Sequence, residues 1–375
     1  MLLRLSGPLI REPCMRRIFM AVLLCCTLHA QEHRVDARDT SPAEPATIPL
    51  HINKLIDLDP GLGAGLGLPI QCGSDARMYV RFFNEDGGDQ AMVAIAPDGS
   101  TTHFKLPFDL GLENAVSLSL YATDDGVFVH ILGQPSTKPV HYKTPSGGDI
   151  ARKAGPDSHH LVVFDSDGGF KRRIDIDMPF KVFQVATFSS GMMLVAGLDS
   201  ATGKPVVALG KEDGTFLRYI TIKDDLSPDT FKPDESALRG MGTLDMKLQA
   251  SSLIPDGREI LLVRNETDSP VFVIAQSGEV RTVRVHAPNG HRVFSISPTQ
   301  AGWMTQFVKD LGHGRFLSKL CSVDRNTGGL KQCYESEEQL GLGFACAEEG
   351  ERFLFLKGGT TTDPNRSSLL LASEK

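Results

Sequence analysis

Three histidines lie within one stretch of the chain, and histidine is the side chain best suited to acid–base or metal chemistry near neutral pH. If their imidazoles converge, they can bind a metal ion or transfer a proton as catalytic residues. Their spacing matches no zinc-binding signature, so a solvated surface loop is the competing interpretation. The histidines are His141, His159 and His160, and the polar neighbours that can contribute to ligand binding are Lys138, Tyr142 and Lys143.

Two further groups of polar residues are candidates for a site. Asp86 and Asp89 lie in a short acidic segment with two glycines, and their oxygen atoms suit a divalent cation. Asp225, Asp229 and Lys232 lie in a later polar segment that can face the histidines and bind a ligand. A solvated surface is the alternative for both groups. The chain contains no nucleophile-elbow, zinc-protease or phosphate-loop motif, so no catalytic constellation is evident.

The elements that must position these residues are copies of one β unit, clearest in residues 248–286. Its apolar runs 260–263 and 271–274 are followed by the alternating run 280–286. Continuous apolar runs are typical of strands buried on both faces, whereas alternation is typical of an edge strand with one wet face. This order predicts a four-stranded antiparallel blade of a propeller.

Two turn markers recur in phase along the chain, and together they predict six blades. The first is a glycine between two apolar runs, at Gly126, Gly191, Gly257, Gly302 and Gly350, with Ala76 in the first copy. The second is a polar Gly-containing turn at the outer hairpin, at 97–99, 166–169, 212–214, 276–278 and 326–329. Such turns between apolar runs are a strong hairpin signal.

The sixth copy ends at its third strand, 367–373, and its fourth strand is predicted to come from residues 47–52 at the other end of the chain. A ring that does not close leaves exposed strand edges. The sequence therefore predicts an all-β, six-bladed propeller over residues 47–375, closed by pairing of 47–52 with 367–373. A seven-bladed ring, with a further blade inside 133–160 or 223–247, is the alternative.

Residues 1–30 have the features of a secretory signal peptide. Arg16 and Arg17 precede the apolar run 18–28, and translation can start at Met15. The run is too short to span a bilayer. Residues 31–46 are polar and contain proline, which predicts a disordered tether. We therefore expect a secreted or periplasmic protein.

The charge balance narrows the range of partners. Without residues 1–30 the chain carries 35 basic and 45 acidic residues, which disfavours nucleic acid and anionic membranes. No second apolar run is long enough for a membrane span. We expect a monomer that binds an unknown protein or carbohydrate. No cofactor is assigned, with a divalent metal kept as an alternative.

Four cysteines follow the leader, and two pairings are predicted from their positions. Cys321 and Cys333 are symmetric about Thr327 in a hairpin turn, which predicts a cross-strand disulfide. Cys72 and Cys346 occupy the same position in the first and sixth copies, so a disulfide there would join the two ends of the ring. Two buried free thiols are the alternative for this second pair.

The repeat resembles the six-bladed propellers of the NHL-type and related superfamilies over nearly all of residues 47–375. This resemblance is architectural, and it implies an exported binding or scaffold module. Long connections on one face of a rigid scaffold are the expected binding surface. The alternative is a hydrolase or lyase, with or without a metal, at the channel mouth of the same face. The long connections are the loops 54–68, 84–90, 133–160, 223–247 and 358–366.

Overall fold

The computed structural model describes residues 45–374, apart from 64, 74, 84–89, 108–109, 144–148, 155–156, 223–250, 265–269, 300, 312–315, 337–342, 349–351 and 358–366. The described part consists of β-strands and one 3-10 helix, Pro60–Leu62. The predicted all-β class is confirmed. Among the described residues, no helix is long and apolar enough to cross a membrane.

Three sheets contain four antiparallel strands each, in chain order. The first sheet comprises β2 (Gly65–Cys72), β3 (Met78–Phe83), β4 (Gln90–Ile95) and β5 (Thr101–His103). The third comprises β11 (Lys181–Thr187), β12 (Met193–Leu198), β13 (Pro205–Gly210) and β14 (Phe216–Ile220). The fourth comprises β15 (Ser251–Asp256), β16 (Glu259–Arg264), β17 (Pro270–Ala275) and β18 (Val280–Arg284).

The second sheet has the same four-stranded order and one additional strand. Its main strands are β6 (Leu112–Thr123), β7 (Gly126–Lys143), β9 (Ser158–Phe164) and β10 (Phe170–Ile176). The additional strand β8 (Asp149–Ala154) pairs with the far end of β7. The segment 133–160, predicted as a long loop, therefore contains a β-hairpin that prolongs β7. We call residues 134–157 the β7–β8 arm.

An eight-stranded sheet contains the first and the last described strands, in the order β19-β20-β21-β22-β1-β25-β24-β23. The strands β19 to β22 are Arg292–Thr299, Gly302–Asp310, Phe316–Val323 and Leu330–Glu335. The others are β23 (Gly343–Glu348), β24 (Arg352–Lys357), β25 (Ser368–Glu374) and the N-terminal β1 (Thr47–Asp57).

The N-terminal strand joins the C-terminal one, as predicted. From Leu50 opposite Glu374 to Asp57 opposite Ser368, β1 runs antiparallel to β25. The pairing extends five residues beyond the predicted end at Ile52. Residues 47–49 differ from the prediction, because they pair in parallel with residues 333–335 of β22.

The sheets are arranged in a ring. Each of the strands β2, β6, β11, β15 and β19 contacts the next in this series, β19 contacts β23, and β23 contacts β2. Apolar side chains fill the spaces between neighbouring sheets. One such cluster joins Met78 and Val80 of the first sheet to Leu354 and Leu369 of β24 and β25. The architecture is therefore propeller-like, with four-stranded antiparallel sheets.

Outer hairpins pack against the sheet that precedes them around the ring. A β-carbon added at Gly214 would lie 2.0 Å from the carbonyl oxygen of Asp175 on β10. In the first sheet, a β-carbon at Gly99 would lie 2.6 Å from Cγ2 of Ile56 on β1. The N-terminal strand thus takes the place of the outer strand that precedes the first sheet.

The predicted disulfide between Cys321 and Cys333 is confirmed. The two residues lie directly opposite each other on β21 and β22. Cys72 is also disulfide-bonded. The side chain of Cys346 lies outside the described part of the structure, so the pairing of Cys72 with Cys346 stays a prediction. Residues 1–44, with the predicted signal peptide and most of the tether, also lie outside it.

Candidate functional site

Two of the predicted histidines lie next to each other on β9, where the β7–β8 arm leaves the second sheet. Side chains alternate between the two faces of a strand, so His159 and His160 belong to different faces. His159 is opposite Leu132, and His160 is opposite Ile131 on β7 and Asp175 on β10. Each histidine therefore belongs to a separate polar network.

The network on the His160 face joins β9 to β10. Nδ1 of His160 is 2.8 Å from Oδ1 of Asp175, and Nε2 is 2.7 Å from Oγ of Ser158. Nε of Arg173 is also 2.8 Å from Oδ1 of Asp175. Arg173 donates a further hydrogen bond to the carbonyl of Leu110, in the connection from the first sheet. His160 is buried, Ser158 is half-buried and Asp175 is exposed.

The charge state of this network follows from its hydrogen bonds. Although partial burial raises the pKa of Asp175, the hydrogen bond from His160 and the charge of Arg173 outweigh burial and hold this pKa below its usual value. Burial lowers the pKa of His160, and the opposing effect of Asp175 does not overcome it. At neutral pH we therefore expect a neutral imidazole beside an ionised carboxylate.

The network on the opposite face pairs two imidazoles. Nε2 of His130 is 3.0 Å from Nδ1 of His159, and the ring centroids are 5.1 Å apart. His130 is 1% exposed, and its Nδ1 has no hydrogen-bond partner among the described residues. Burial, followed by the charges of His159 and Arg81, holds the pKa of His130 well below its usual value. Burial and the neighbouring His160 lower the pKa of His159 to about 4.

A row of polar side chains lies at the base of the arm, on the face of the second sheet that carries His159. The amide of Asn114 donates to Oε1 of Gln134 at 3.0 Å, and the amide of Gln134 donates to Oδ1 of Asp157 at 2.8 Å. Asn114 has a φ of 52° and lies in a bulge of β6 between Glu113 and Val116. Asparagine tolerates this left-handed conformation better than most residues.

The structure places the other predicted residues away from this network or does not describe them. The backbone of β7 carries Lys138, His141, Tyr142 and Lys143 along the arm, and their side chains lie outside the described part. His141 pairs with Ala151, nine residues along β7 from Leu132, the partner of His159. Their assignment as site residues stays a prediction. The remaining predicted site residues lie outside the described part of the structure, and their assignment also stays a prediction: Asp86, Asp89, Asp225, Asp229 and Lys232.

A metal site is not formed by the residues that the structure describes. Within them there is no group of three or more histidine, cysteine, aspartate or glutamate side chains able to hold an ion. Asp175, the carboxylate nearest to the imidazole of His160, is already bonded to that ring and to Arg173. The hydrogen bond of 2.7 Å between Ser158 and His160 is short enough for proton transfer between the two side chains.

Sequence reasoning did not identify His130, Ser158, Arg173 or Asp175 as parts of a site. One signal was present, because Ser158 and His160 are two residues apart in a strand and so share a face. Asp175 lies in a stretch of alternating polar and apolar residues, in which a solvated polar side chain is the usual expectation. A bulge between Phe170 and Arg172 shifts the register of β10 and brings Asp175 opposite His160.

No family model matches the chain, and no curated protein matches it. Among solved structures, it is similar to a protein of unknown function from Dyadobacter fermentans, with 8% identity over 87% of this chain and 99% of that chain and a TM-score of 0.51. The WD40 domain of Neurospora crassa Pan2 is 11% identical over 92% of this chain and 98% of that domain, with a TM-score of 0.41. The first likeness supports the fold alone.

Proposed function

We propose that the protein is an exported six-bladed propeller that binds an acidic partner protein through the β7–β8 arm. The count of six follows if the eight-stranded sheet is divided at the parallel pairing of β1 with β22. Each half then has four antiparallel strands, like the other sheets. The ring of contacts among β2, β6, β11, β15, β19 and β23 supports this division. The resemblance to NHL-type propellers stays a prediction.

The observation that carries the binding function is the arm itself. It extends from strands two and three of the second sheet, on the side where one sheet connects to the next. The backbone of the arm is paired in register, with Val140 opposite Arg152 and Lys143 opposite Asp149. Extended segments on a rigid scaffold are where recognition commonly occurs.

The charge of the arm supports an acidic class of partner. Residues 134–157 contain four basic and two acidic residues, although the whole chain has a formal charge of −7. The basic residues are Lys138, Lys143, Arg152 and Lys153. A locally basic segment attracts an acidic surface. An acidic protein partner fits this pattern.

The binding proposal is tested with poly-L-glutamate as a defined acidic polypeptide, by calorimetry at low and physiological salt. Lys138→Glu combined with Lys143→Glu should raise the Kd at least about tenfold. The matched control reverses two exposed charges in tight turns on the opposite face, Lys211→Glu and Arg258→Glu, and should leave the Kd within about twofold. Equal weakening in both variants, or binding of a sulfated glycan alone, would contradict the proposal.

The arm can also be removed without disturbing its base. Ser136 and Ala154 lie opposite each other in register, so an Asn-Gly turn can join them in place of residues 137–153. We expect this variant to keep its melting temperature and to lose polyglutamate binding. Retained binding would place the binding surface elsewhere on the propeller.

Export is supported by the Cys321–Cys333 disulfide, since such bonds form and persist in oxidising compartments. To test export, the full chain is expressed, and the mass of the protein recovered outside the cytoplasm is measured. The exported form should begin near residue 31 and lack free thiols at Cys321 and Cys333. Recovery of the intact N-terminus in the cytoplasm would exclude export. The sequence alternative, a hydrolase or lyase at the channel mouth, stays a prediction.

A further inference from the structure

Ser158, His160 and Asp175 form a continuous chain of hydrogen bonds. The proposed binding through the arm does not involve these hydrogen bonds. Oγ of Ser158 is 2.7 Å from Nε2 of His160, whose Nδ1 is 2.8 Å from Asp175. These are the distances at which a nucleophile, a general base and an orienting carboxylate act together. The three residues lie on the two outermost main strands of the second sheet, away from the channel mouth.

The protons of this chain can be placed from chemistry alone. An ionised carboxylate only accepts hydrogen bonds, so Nδ1 of His160 carries the proton directed at Asp175. A neutral imidazole then has an unprotonated Nε2, and the hydroxyl of Ser158 is the donor to it. The carbonyl of Gly133, at 3.2 Å, is a second and more distant acceptor for the same hydroxyl. The Ser158 proton is therefore directed towards a base.

We propose that Ser158 is a catalytic nucleophile activated by His160, and that this site hydrolyses small carboxylic esters. Asp175 acts as a positioning residue, because it holds the tautomer and orientation of the imidazole without touching the substrate. Arg173 holds the carboxylate in turn through its 2.8 Å contact. This activity goes beyond binding through the arm and does not depend on it.

The reaction needs no co-reactant other than water. Oγ of Ser158 forms a bond to the ester carbonyl carbon while its proton passes to Nε2 of His160. The carbon–oxygen bond to the alcohol then breaks, and His160 returns the proton to the leaving alkoxide. Water hydrolyses the acyl-serine by the same steps, which releases the carboxylic acid and restores the Ser158 hydroxyl.

The surroundings of Ser158 point to the substrate class. Ser158 is half-buried, so a small ester can reach it, whereas His160 behind it is protected from water.

The experiment uses the full chain with a fluorophosphonate probe, and the labelled residue is located by peptide mass mapping. Hydrolysis of p-nitrophenyl acetate is measured in parallel. We expect the adduct on Ser158, and Ser158→Ala should remove both labelling and hydrolysis. His160→Gln should reduce the labelling rate at least about a hundredfold. Asp175→Asn should slow it by at least about tenfold, and Asp175→Glu should recover part of the rate.

The control is Ser190→Ala, which removes an exposed serine of another sheet and should change neither rate. Mapping of the wild-type adduct does not depend on whether any variant folds. An adduct at Ser190 or other exposed serines to the same extent as at Ser158 would overturn the proposal. So would a labelling rate unchanged in His160→Gln, because the network would then be only a structural connection between β9 and β10.

Discussion

The side-chain amide of Gln71 donates a hydrogen bond of 3.3 Å to the main-chain carbonyl of Leu253, although 182 residues separate the two along the chain. Gln71 belongs to β2 and Leu253 to β15, the first strands of the first and fourth sheets. Both residues are buried. The first strands of non-neighbouring sheets thus meet inside the ring.

Removal of this hydrogen bond should destabilise the ring without changing the strand pairing. Gln71→Leu keeps the volume but leaves the carbonyl of Leu253 without this donor, so the free energy of unfolding should fall by about 1–2 kcal/mol. Chemical denaturation measures the change. Gln332→Leu, which removes a half-buried hydrogen bond to Glu374, is the comparison and should cost less than about 0.5 kcal/mol. Equal effects would mean that the buried Gln71 contact contributes no more than the half-buried contact of Gln332.

The N-terminal strand β1 contains one buried and one exposed leucine, which can be compared by the same substitution. Leu50 is 3% exposed and packs with Leu370 and Phe355, whereas Leu55 on the same strand is 56% exposed. Leu50→Ala should lower the free energy of unfolding by about 2–4 kcal/mol, because it leaves a cavity between β1 and its neighbours. Leu55→Ala should cost less than about 0.5 kcal/mol. If both variants unfold at the same denaturant concentration as the native protein, β1 does not close the ring in solution.

The His130–His159 pair should make the protein sensitive to acid. Both pKa values are lowered in the folded state, so the unfolded chain binds more protons as the pH falls below about 6.5. The contribution of the pair to the free energy of unfolding is therefore fully present above that pH. It is lost progressively as the pH falls towards the folded pKa of His159, about 4. At pH 5 the loss attributable to His159 is at most about 2 kcal/mol. The other charged or titratable groups near the pair are Arg81, Asp157, His160 and Lys181.

His159→Gln tests this prediction, because an amide keeps a polar partner for His130 and does not titrate. Melting temperatures measured from pH 7.5 to pH 5 should fall less steeply in the variant than in the native protein. A slope that is the same in the variant and in the native protein would assign the acid sensitivity to other groups.

Two turn glycines separate the effect of backbone conformation from that of packing. Gly257 has a φ of 63°, and a β-carbon there would meet no described atom within 4 Å. Gly257→Ala should therefore cost only the conformational strain, about 1 kcal/mol. Gly328 has a φ of 72°, and its β-carbon would lie 1.9 Å from the carbonyl oxygen of Arg284 on the preceding sheet.

Gly328→Ala must therefore move the outer hairpin as well as strain it, and should cost about 3 kcal/mol or more. Thermal unfolding of the two variants beside the native protein gives the comparison. Equal losses would show that this hairpin adapts without cost, and that contact between neighbouring sheets is weaker there than the distance implies.

The sequence by itself determined the order of strands within one four-stranded unit and most of the turns. The hairpin glycines at 99, 168, 214, 278 and 328 all have positive φ, and Ala76 takes the first marker position with a φ of 59°. These features are readable because they are local: a left-handed turn needs glycine or a substitute, and a buried strand needs a run of apolar residues. The pairing of the two chain ends followed from the need to cover a strand edge.

Only the tertiary structure decided which side chains meet. A one-residue register shift moves every side chain of a strand to the other face, and the bulge between Phe170 and Arg172 makes such a shift in β10. Asp175 therefore reaches His160, and Ile174 turns into the core instead. The contact between Gln71 and Leu253 depends in the same way on ring geometry, which no local pattern of residues encodes.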